Sequence, residues 1–441
     1  MKKIVGAAML AAMVAGAASA EVTVSQNFRF RPNLLKVESI DKTVDATDET
    51  KNKDAYTKTT FADLDGYGAC SDSLSIAGKT DFAGLKVDLT LTSGITKNGN
   101  YAESKAENEA VAIDNYYGWL NWGAFKLTGG VYDSRFTSRG NYTATEEGIL
   151  DKEFAKALGL SGNLVGLTDG TKSGKWDTVG LKDFGNVSQV DAGNYLSFLA
   201  DYTLDDIGGG KLLLKGGLVE NDAAGSAKLK NSDLSATPFV TTKNDDGNTT
   251  FQQSAGYVFE AAWANDEIIK VDAIFKKAYN KNYGFGLYLT PMMIPNTKNV
   301  VLGFTFGTMK DTYAAFAIDA RAEFDITPEA VVAFGAKYES LTPDGEDAET
   351  GLSVAAEGSY KLNDLVTLAL DLGYFNYDLD DNDDADDGSQ SFVASGRAKF
   401  TAGKNAAITT ALRYTAVLNA LEDAGKTTGT FDIPVVLRIK M

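Results

Sequence analysis

Apolar and polar residues alternate with a period of two along most of this chain, the spacing of a strand that shows one face to an apolar medium and the other to water. Val366, Leu368, Leu370, Leu372 and Tyr374 share one face, while Thr367, Ala369, Asp371 and Gly373 take the other. Phe316, Ile318, Ala320, Ala322 and Phe324 oppose Ala317, Asp319, Arg321 and Glu323, which sets three charges on a single face. The runs Leu85 to Leu91 and Ile408 to Ala416 alternate in the same way. In the last run Phe431, Ile433, Val435, Leu437, Ile439 and Met441 make an unbroken apolar row against Asp432, Pro434, Arg438 and Lys440. A helix would scatter these residues around its axis.

The connections between the runs set the topology. Short links fall at Phe82-Ala83, Trp122-Gly123, Asp205 to Gly208, Asn265-Asp266, Asp325 to Pro328, Leu362 to Asp364 and Thr401 to Lys404. Long outer loops are expected near 32–70, 135–193, 220–252 and 376–389, with shorter polar segments at 98–110, 341–350 and 419–427. Short turns at one end and long loops at the other predict an all-β fold, a transmembrane antiparallel outer-membrane β-barrel of 16–18 strands. One opening strand, eight hairpins and one closing strand make eighteen. The runs 21–32 and 279–290 alternate least clearly, which leaves sixteen open. A soluble secreted sandwich or solenoid is the competing architecture; a sandwich needs wide apolar strands and protected edges, and no fixed-period repeat supports a solenoid.

Lys2 and Lys3 precede an apolar stretch from Ile4 to Ala18, followed by Ala18-Ser19-Ala20, which reads as a secretory signal peptide over 1–20 with cleavage after Ala20. The remainder, 21–441, reads as a single barrel. From Glu21 onward no window reaches the roughly 18 apolar residues of a spanning helix, so a membrane role has to come through strands.

Composition narrows the chemistry. The 441 residues include 60 acidic and 42 basic side chains, one Cys and no His. Histidine acid-base catalysis, histidine-ligated metal and an internal disulfide are thereby excluded, and the common Ser-His hydrolytic arrangement is lost. No enzyme is expected. The formal charge of −18 argues against a nucleic-acid partner, because an acidic surface repels phosphate. Cys70, in Asp65-Gly-Tyr-Gly-Ala-Cys70, is expected to be buried, and Gly208-Gly-Gly210 to be a turn without a phosphate-loop motif.

The segment Asn115-Tyr-Tyr-Gly-Trp-Leu-Asn-Trp-Gly-Ala-Phe-Lys-Leu-Thr-Gly-Gly-Val-Tyr-Asp-Ser-Arg-Phe136 resembles the spirochaete (treponemal-type) porin-like outer-membrane barrels, in which an aromatic strand precedes a Lys-Leu-Thr-x-Gly-x-Tyr-Asp-x-Arg-Phe strand. The resemblance implies an outer-membrane location and a diffusion channel, with outer-membrane lipid, the barrel-assembly machinery and small hydrophilic solutes as partners. Association as a homotrimer is compatible with it. Met441 stands where many bacterial barrels end in Phe, and its flexible apolar side chain offers the assembly machinery a substitute.

In such a barrel the chemistry sits on the inward face and in the outer loops. The expected pore-lining set is Lys86, Asp88, Lys126, Lys211, Lys215, Asp319, Arg321, Glu323, Glu357, Asp371, Arg397, Lys399 and Arg413. Mixed signs at close quarters can carry a transverse field across a narrow section or simply pair across strands. Within the longest loop, Glu147 to Gly159 reads as a short amphipathic helix with Ile149, Leu150, Phe154, Ala157 and Leu158 on its apolar side. It is the candidate constriction, with Arg135 and Arg139 as its cations; an external position for this loop is the alternative.

Asp380, Asp381, Asp383, Asp384, Asp386 and Asp387 crowd hard oxygen ligands into one loop. They fail the full calcium-loop spacing, so a hydrated loop is weighed against weak surface binding of calcium or magnesium, and no resident cofactor is expected. The acidic total predicts a mild cation preference, screened over about 8 Å at physiological salt. The expected function is passive diffusion of small hydrophilic solutes and ions. A barrel that displays its outer loops for adhesion or envelope structure is the alternative.

Overall fold

A computed structural model describes residues 21–40, 54–63, 71–92, 111–133, 194–220, 239–243, 249–253, 255–277, 282–309, 313–345, 347–376, 390–417 and 427–441. The chain opens with β1 (Glu21–Phe30) and β2 (Asn33–Ile40), which lie end to end, and returns along β3 (Tyr56–Asp63) and β4 (Ser71–Lys79). It continues through β5 (Ala83–Thr92), β6 (Val111–Trp122), β7 (Phe125–Asp133), β8 (Asn194–Ile207) and β9 (Gly210–Glu220). A small hairpin, β10 (Phe239–Lys243) with β11 (Thr249–Gln253), forms its own two-stranded sheet. Then come β12 (Ala255–Asn265), β13 (Ile269–Lys277), β14 (Asn282–Pro291), β15 (Thr297–Met309), β16 (Tyr313–Asp325) and β17 (Ala330–Pro343). The last strands are β18 (Glu349–Lys361), β19 (Val366–Asn376), β20 (Gln390–Thr401), β21 (Ala406–Val417) and β22 (Thr427–Lys440).

All strands but β10 and β11 belong to one antiparallel sheet: β4 to β9 and β12 to β22 pair in chain order, β9 pairs with β12, β1 with β4, and β2 with β3. β1 with β2 fills one position of the wall and β3 with β4 another, so the described residues make a closed barrel of eighteen strands. Of the two weakly alternating runs, Glu21–Phe30 and Asn282–Pro291 are strand, which resolves the count at the upper end of the expected range. The region expected as an outer loop near 32–70 is partly wall: β2 and β3 pair there from Asn33↔Asp63 to Ile40↔Tyr56. Its alternation was masked because Leu34 and Leu35 sit at a register shift, between Asn33↔Pro434 and Lys36↔Asp432.

Closure runs along β22. One edge pairs with β21; the other pairs with β1 at Asn27↔Lys440 to Phe30↔Leu437 and with β2 from Asn33↔Pro434 to Ile40↔Thr427. Even the break between β1 and β2 is bonded, because Val435 N donates to Pro32 O at 3.0 Å. Gln26 and Met441 exchange backbone hydrogen bonds of 2.7 and 2.9 Å. Among the described residues no open sheet edge is left at the seam, which is the condition for a strand-built wall in lipid.

Several short turns are fixed by side chains. Asn265 Oδ1 accepts from Glu267 N and Ile268 N, Thr327 Oγ1 from Glu329 N and Ala330 N, and Asn363 Oδ1 from Leu365 N and Val366 N. Gly208 and Gly209, both at positive φ, make the two-residue turn between β8 and β9. In the exposed turn after β18 the Lys361 ammonium donates to Asp364 at 2.6 Å and holds that carboxyl below its ordinary value.

The outward face is apolar and uncovered by protein: Ile318 is 53% exposed, Leu370 58% and Leu412 58%, while the inward Asp371 is 1% exposed. In water this arrangement would expose the wrong side of every strand, so a soluble sandwich does not account for it. Aromatic pairs stand at both ends of the aliphatic band. Trp122 stacks with Phe125 at the short-turn rim, and Phe316 meets Tyr338 at the opposite rim. A concavity of about 500 Å³ lined by Val300, Leu302, Ala320, Ala322, Phe334 and Ala336, among others, belongs to this band. It is a groove in the outward surface and not the lumen.

The closure gives a stability test. Asp432 on β22 accepts from Arg413 on β21 and from Asn33 on β2, so it ties both neighbours of the closing strand. Asp432→Ala leaves Arg413 buried without this counter-ion, and the expected loss is about 3–5 kcal/mol, read as a lower urea midpoint of the refolded barrel. Arg413→Met combined with Asp432→Leu should recover much of that loss.

Candidate functional site: the inward wall of the barrel

Alternation sends every second residue of the wall inward, and on β18 to β22 the inward residues form a buried ionic belt. Glu357 stands directly opposite Asp371, a like-charge pair that would repel by itself. Arg397 sits between them: Nε and Nη2 donate to Asp371 at 3.0 and 3.1 Å, and Nη2 lies 3.3 Å from Glu357 Oε1. Beside them Arg413 grips Asp432 in a two-point interaction, with Nε 2.8 Å from Oδ1 and Nη2 on Oδ2. These five side chains are at most 6% exposed. The planar guanidinium suits this role, since its fixed donors match two carboxylate oxygens at once.

A second row crosses β7, β8, β9 and β12. Lys126 faces Asp201, Asp201 faces Lys215, and Lys215 faces Glu260, so the sign alternates at each step. Lys215 Nζ lies 2.7 Å from Glu260 Oε2, whose side chain is fully buried. Each charge thus has an opposite neighbour across the pleat, the favourable order for cross-strand pairs.

On the arc from β2 to β7 the inward side chains are more accessible. Glu38 lies between Lys36 at 2.7 Å and Lys58 at 3.4 Å. Asp88 accepts from Ser75, from Asn115 at 2.9 Å and from Lys86 at 2.9 Å. Below them Tyr117 and Trp119 tilt against each other with centroids 5.8 Å apart, and Lys126 Nζ stands 5.5 Å from the Trp119 ring. Two glycines make room for β6 and its Trp119 ring. A Cβ on Gly84 would collide with the Trp119 ring, and one on Gly130, whose φ is +131°, would meet Tyr117.

Of the residues expected to line the pore, Lys86, Asp88, Lys126, Lys215, Glu323, Glu357, Asp371, Arg397, Lys399 and Arg413 occupy inward positions of their strands. The trio Glu357, Arg397 and Asp371 and the pair Lys86 and Asp88 are brought together. Lys211 sits at the short-turn mouth with Asp205, 75% exposed. Asp319 and Arg321 hold β16 positions opposite Gly303 and Val301. Arg135, Arg139, Cys70, the 147–159 segment and Asp380, Asp381, Asp383, Asp384, Asp386 and Asp387 lie outside the described residues. Among the described residues no acidic cluster is arranged to hold a metal ion.

Several wall residues escaped the sequence reading. Lys36, Glu38 and Lys58 were hidden in the supposed 32–70 loop, although Lys36-Val-Glu38 already alternates. Asp201 and Glu260 are single charges inside apolar runs, Leu199-Ala-Asp201-Tyr and Phe259-Glu260-Ala, and that isolation was the available signal.

No family model matches this chain, and no curated protein does. Solved structures are similar over nearly the whole length. OccK11 (OpdR) of Pseudomonas aeruginosa shares 7% identity over 95% of this chain and 96% of its own, with a TM-score of 0.47. An anion-selective porin from Comamonas acidovorans shares 12% over 96% of this chain and 100% of its own, with a TM-score of 0.45. A BenF-like porin from Pseudomonas fluorescens Pf-5 shares 9% over 95% and 99%, with a TM-score of 0.47. Likeness at this level speaks to neither solute nor mechanism.

The glycine seat under Trp119 is testable. Gly84→Val forces the Trp119 ring off the wall and should cost about 1–3 kcal/mol, read in the urea midpoint of the refolded barrel. Gly78→Val, where nothing stands within 4 Å of the added Cβ, should leave the midpoint unchanged or slightly raised.

Proposed function

We propose that this protein is an outer-membrane porin through which small hydrophilic solutes and ions diffuse passively. The observation that carries the reading is the division of one closed wall into an apolar outward face and a charged inward face. A lipid-facing band with aromatic rims needs a membrane, and a charged interior needs water or counter-charges. The chain's place among the spirochaete-type porin-like barrels, which its 115–136 segment resembles, is part of the same proposal. So are export by the N-terminal signal peptide and insertion by the barrel-assembly machinery.

The mild cation preference expected from the acidic total rests on net sign alone, and the described wall lends it no support. One observation favours the adhesin or structural reading. The inward side chains from β18 to β22 are closely packed, and a wall that excludes water narrows the open section.

Planar-bilayer recording of the refolded barrel separates the two. Discrete, reproducible conductance steps are expected of the porin. An inserted, sheet-rich barrel that gives no steps would put the loop-display reading first.

A further inference from the structure

The sign of a channel's selectivity follows from the charges that permeating ions meet, and these differ here from the charges the chain contains. In the β18 to β22 belt each arginine is covered together with its carboxylates, all at most 6% exposed, so little of that charge reaches a passing ion. On the accessible arc the two signs are unequally presented. Glu38 is 12% exposed beneath Lys36 at 38% and Lys58 at 59%; Asp88 is 13% exposed beside Lys86 at 32%. Each carboxylate is spent on its neighbours: Glu38 on two ammonium groups, Asp88 on Ser75, Asn115 and Lys86. In each pair the lysine is the more exposed partner.

We infer that the lumen favours small anions, such as chloride and short carboxylates, and that Lys36, Lys58 and Lys86 set this preference. The inference rests on the porin reading and gives that channel a solute class. It reverses the sign suggested by the formal charge of −18, because that total weights covered and presented charges alike. Two lysines around one carboxylate leave a positive excess at the upper part of the arc. Lower down Lys86 and Asp88 carry one charge of each sign, with the lysine the more exposed of the two. Ammonium groups on flexible stems suit a diffusing anion, since they can follow it without binding it in a fixed geometry.

The test is the zero-current potential of the refolded full-length protein in a planar bilayer, measured across a potassium chloride gradient near 0.1 M. The expected chloride-to-potassium permeability ratio is about two to three, the effect of roughly one uncompensated charge near the permeating ions, partly screened. Near 1 M salt, where the Debye length falls to about 3 Å, the ratio should approach one. Lys36→Gln with Lys58→Gln leaves Glu38 without its cover and should bring the low-salt ratio to one or below. Glu38→Gln should raise it. Steps with a wild-type ratio below one would overturn the inference and leave the porin reading standing. A ratio above one that the lysine replacements do not move would overturn the assignment to these residues. Absence of steps would remove the porin reading and this inference with it.

Discussion

A wall made of strands in lipid stands or falls on its last pair of edges. Every backbone N–H and C=O in the apolar band needs a partner inside the wall, and neither lipid nor water can supply one there. β22 meets that demand on both sides, with β21 along one edge and the broken opening strand along the other. The side chains reinforce the same line, since Asp432 links β21, β22 and β2 through Arg413 and Asn33. The inward face, the outward band and the rims all take their positions from that closed ring.

Given the ring, the interior has to manage many charges in a confined space. It does so in two ways. From β18 to β22 arginine forks are matched to carboxylates and withdrawn from water, which gives little net stability but is costly to break. On the β2 to β7 arc lysines shield carboxylates while staying accessible, and the Trp119 ring lies on glycine. The first arrangement specifies the wall; the second leaves a surface that a solute can meet. A net formal charge describes neither.

Period-two alternation exposed the architecture because the two faces meet opposite media, and each face keeps its character for the full height of a strand. The strong runs at 366–374, 408–416 and 431–441 became β19, β21 and β22. The weaker opening run is strand for the same reason, its pattern blurred by the Arg31-Pro32 break and the shift near Leu34. Sequence placed Glu357, Asp371 and Arg397 on the inward side but could not show that they form one unit. That depends on the register of three strands, and a slip of one residue would turn each side chain to the other face. Nor could it show how far each charge is covered. Lys86 and Asp88 look equivalent as letters, and only the neighbouring Ser75 and Asn115 make the carboxylate the hidden partner.

The break in the opening strand bears on how the barrel comes to exist at all. Its two halves pair with the same closing strand, so Asn33 and Asp432 must meet across a separation of 399 residues. Hairpins along the chain are local and can form early, whereas the joining of the opening and closing strands, which also brings Gln26 to Met441, has the longest span among the described hydrogen bonds and waits for the final strand. Until then the growing sheet carries two raw edges, each a template for a wrong partner. The rate of assembly is therefore governed by how long those edges are kept apart from other sheets, and the joint that completes the wall is also the last moment at which it can go astray.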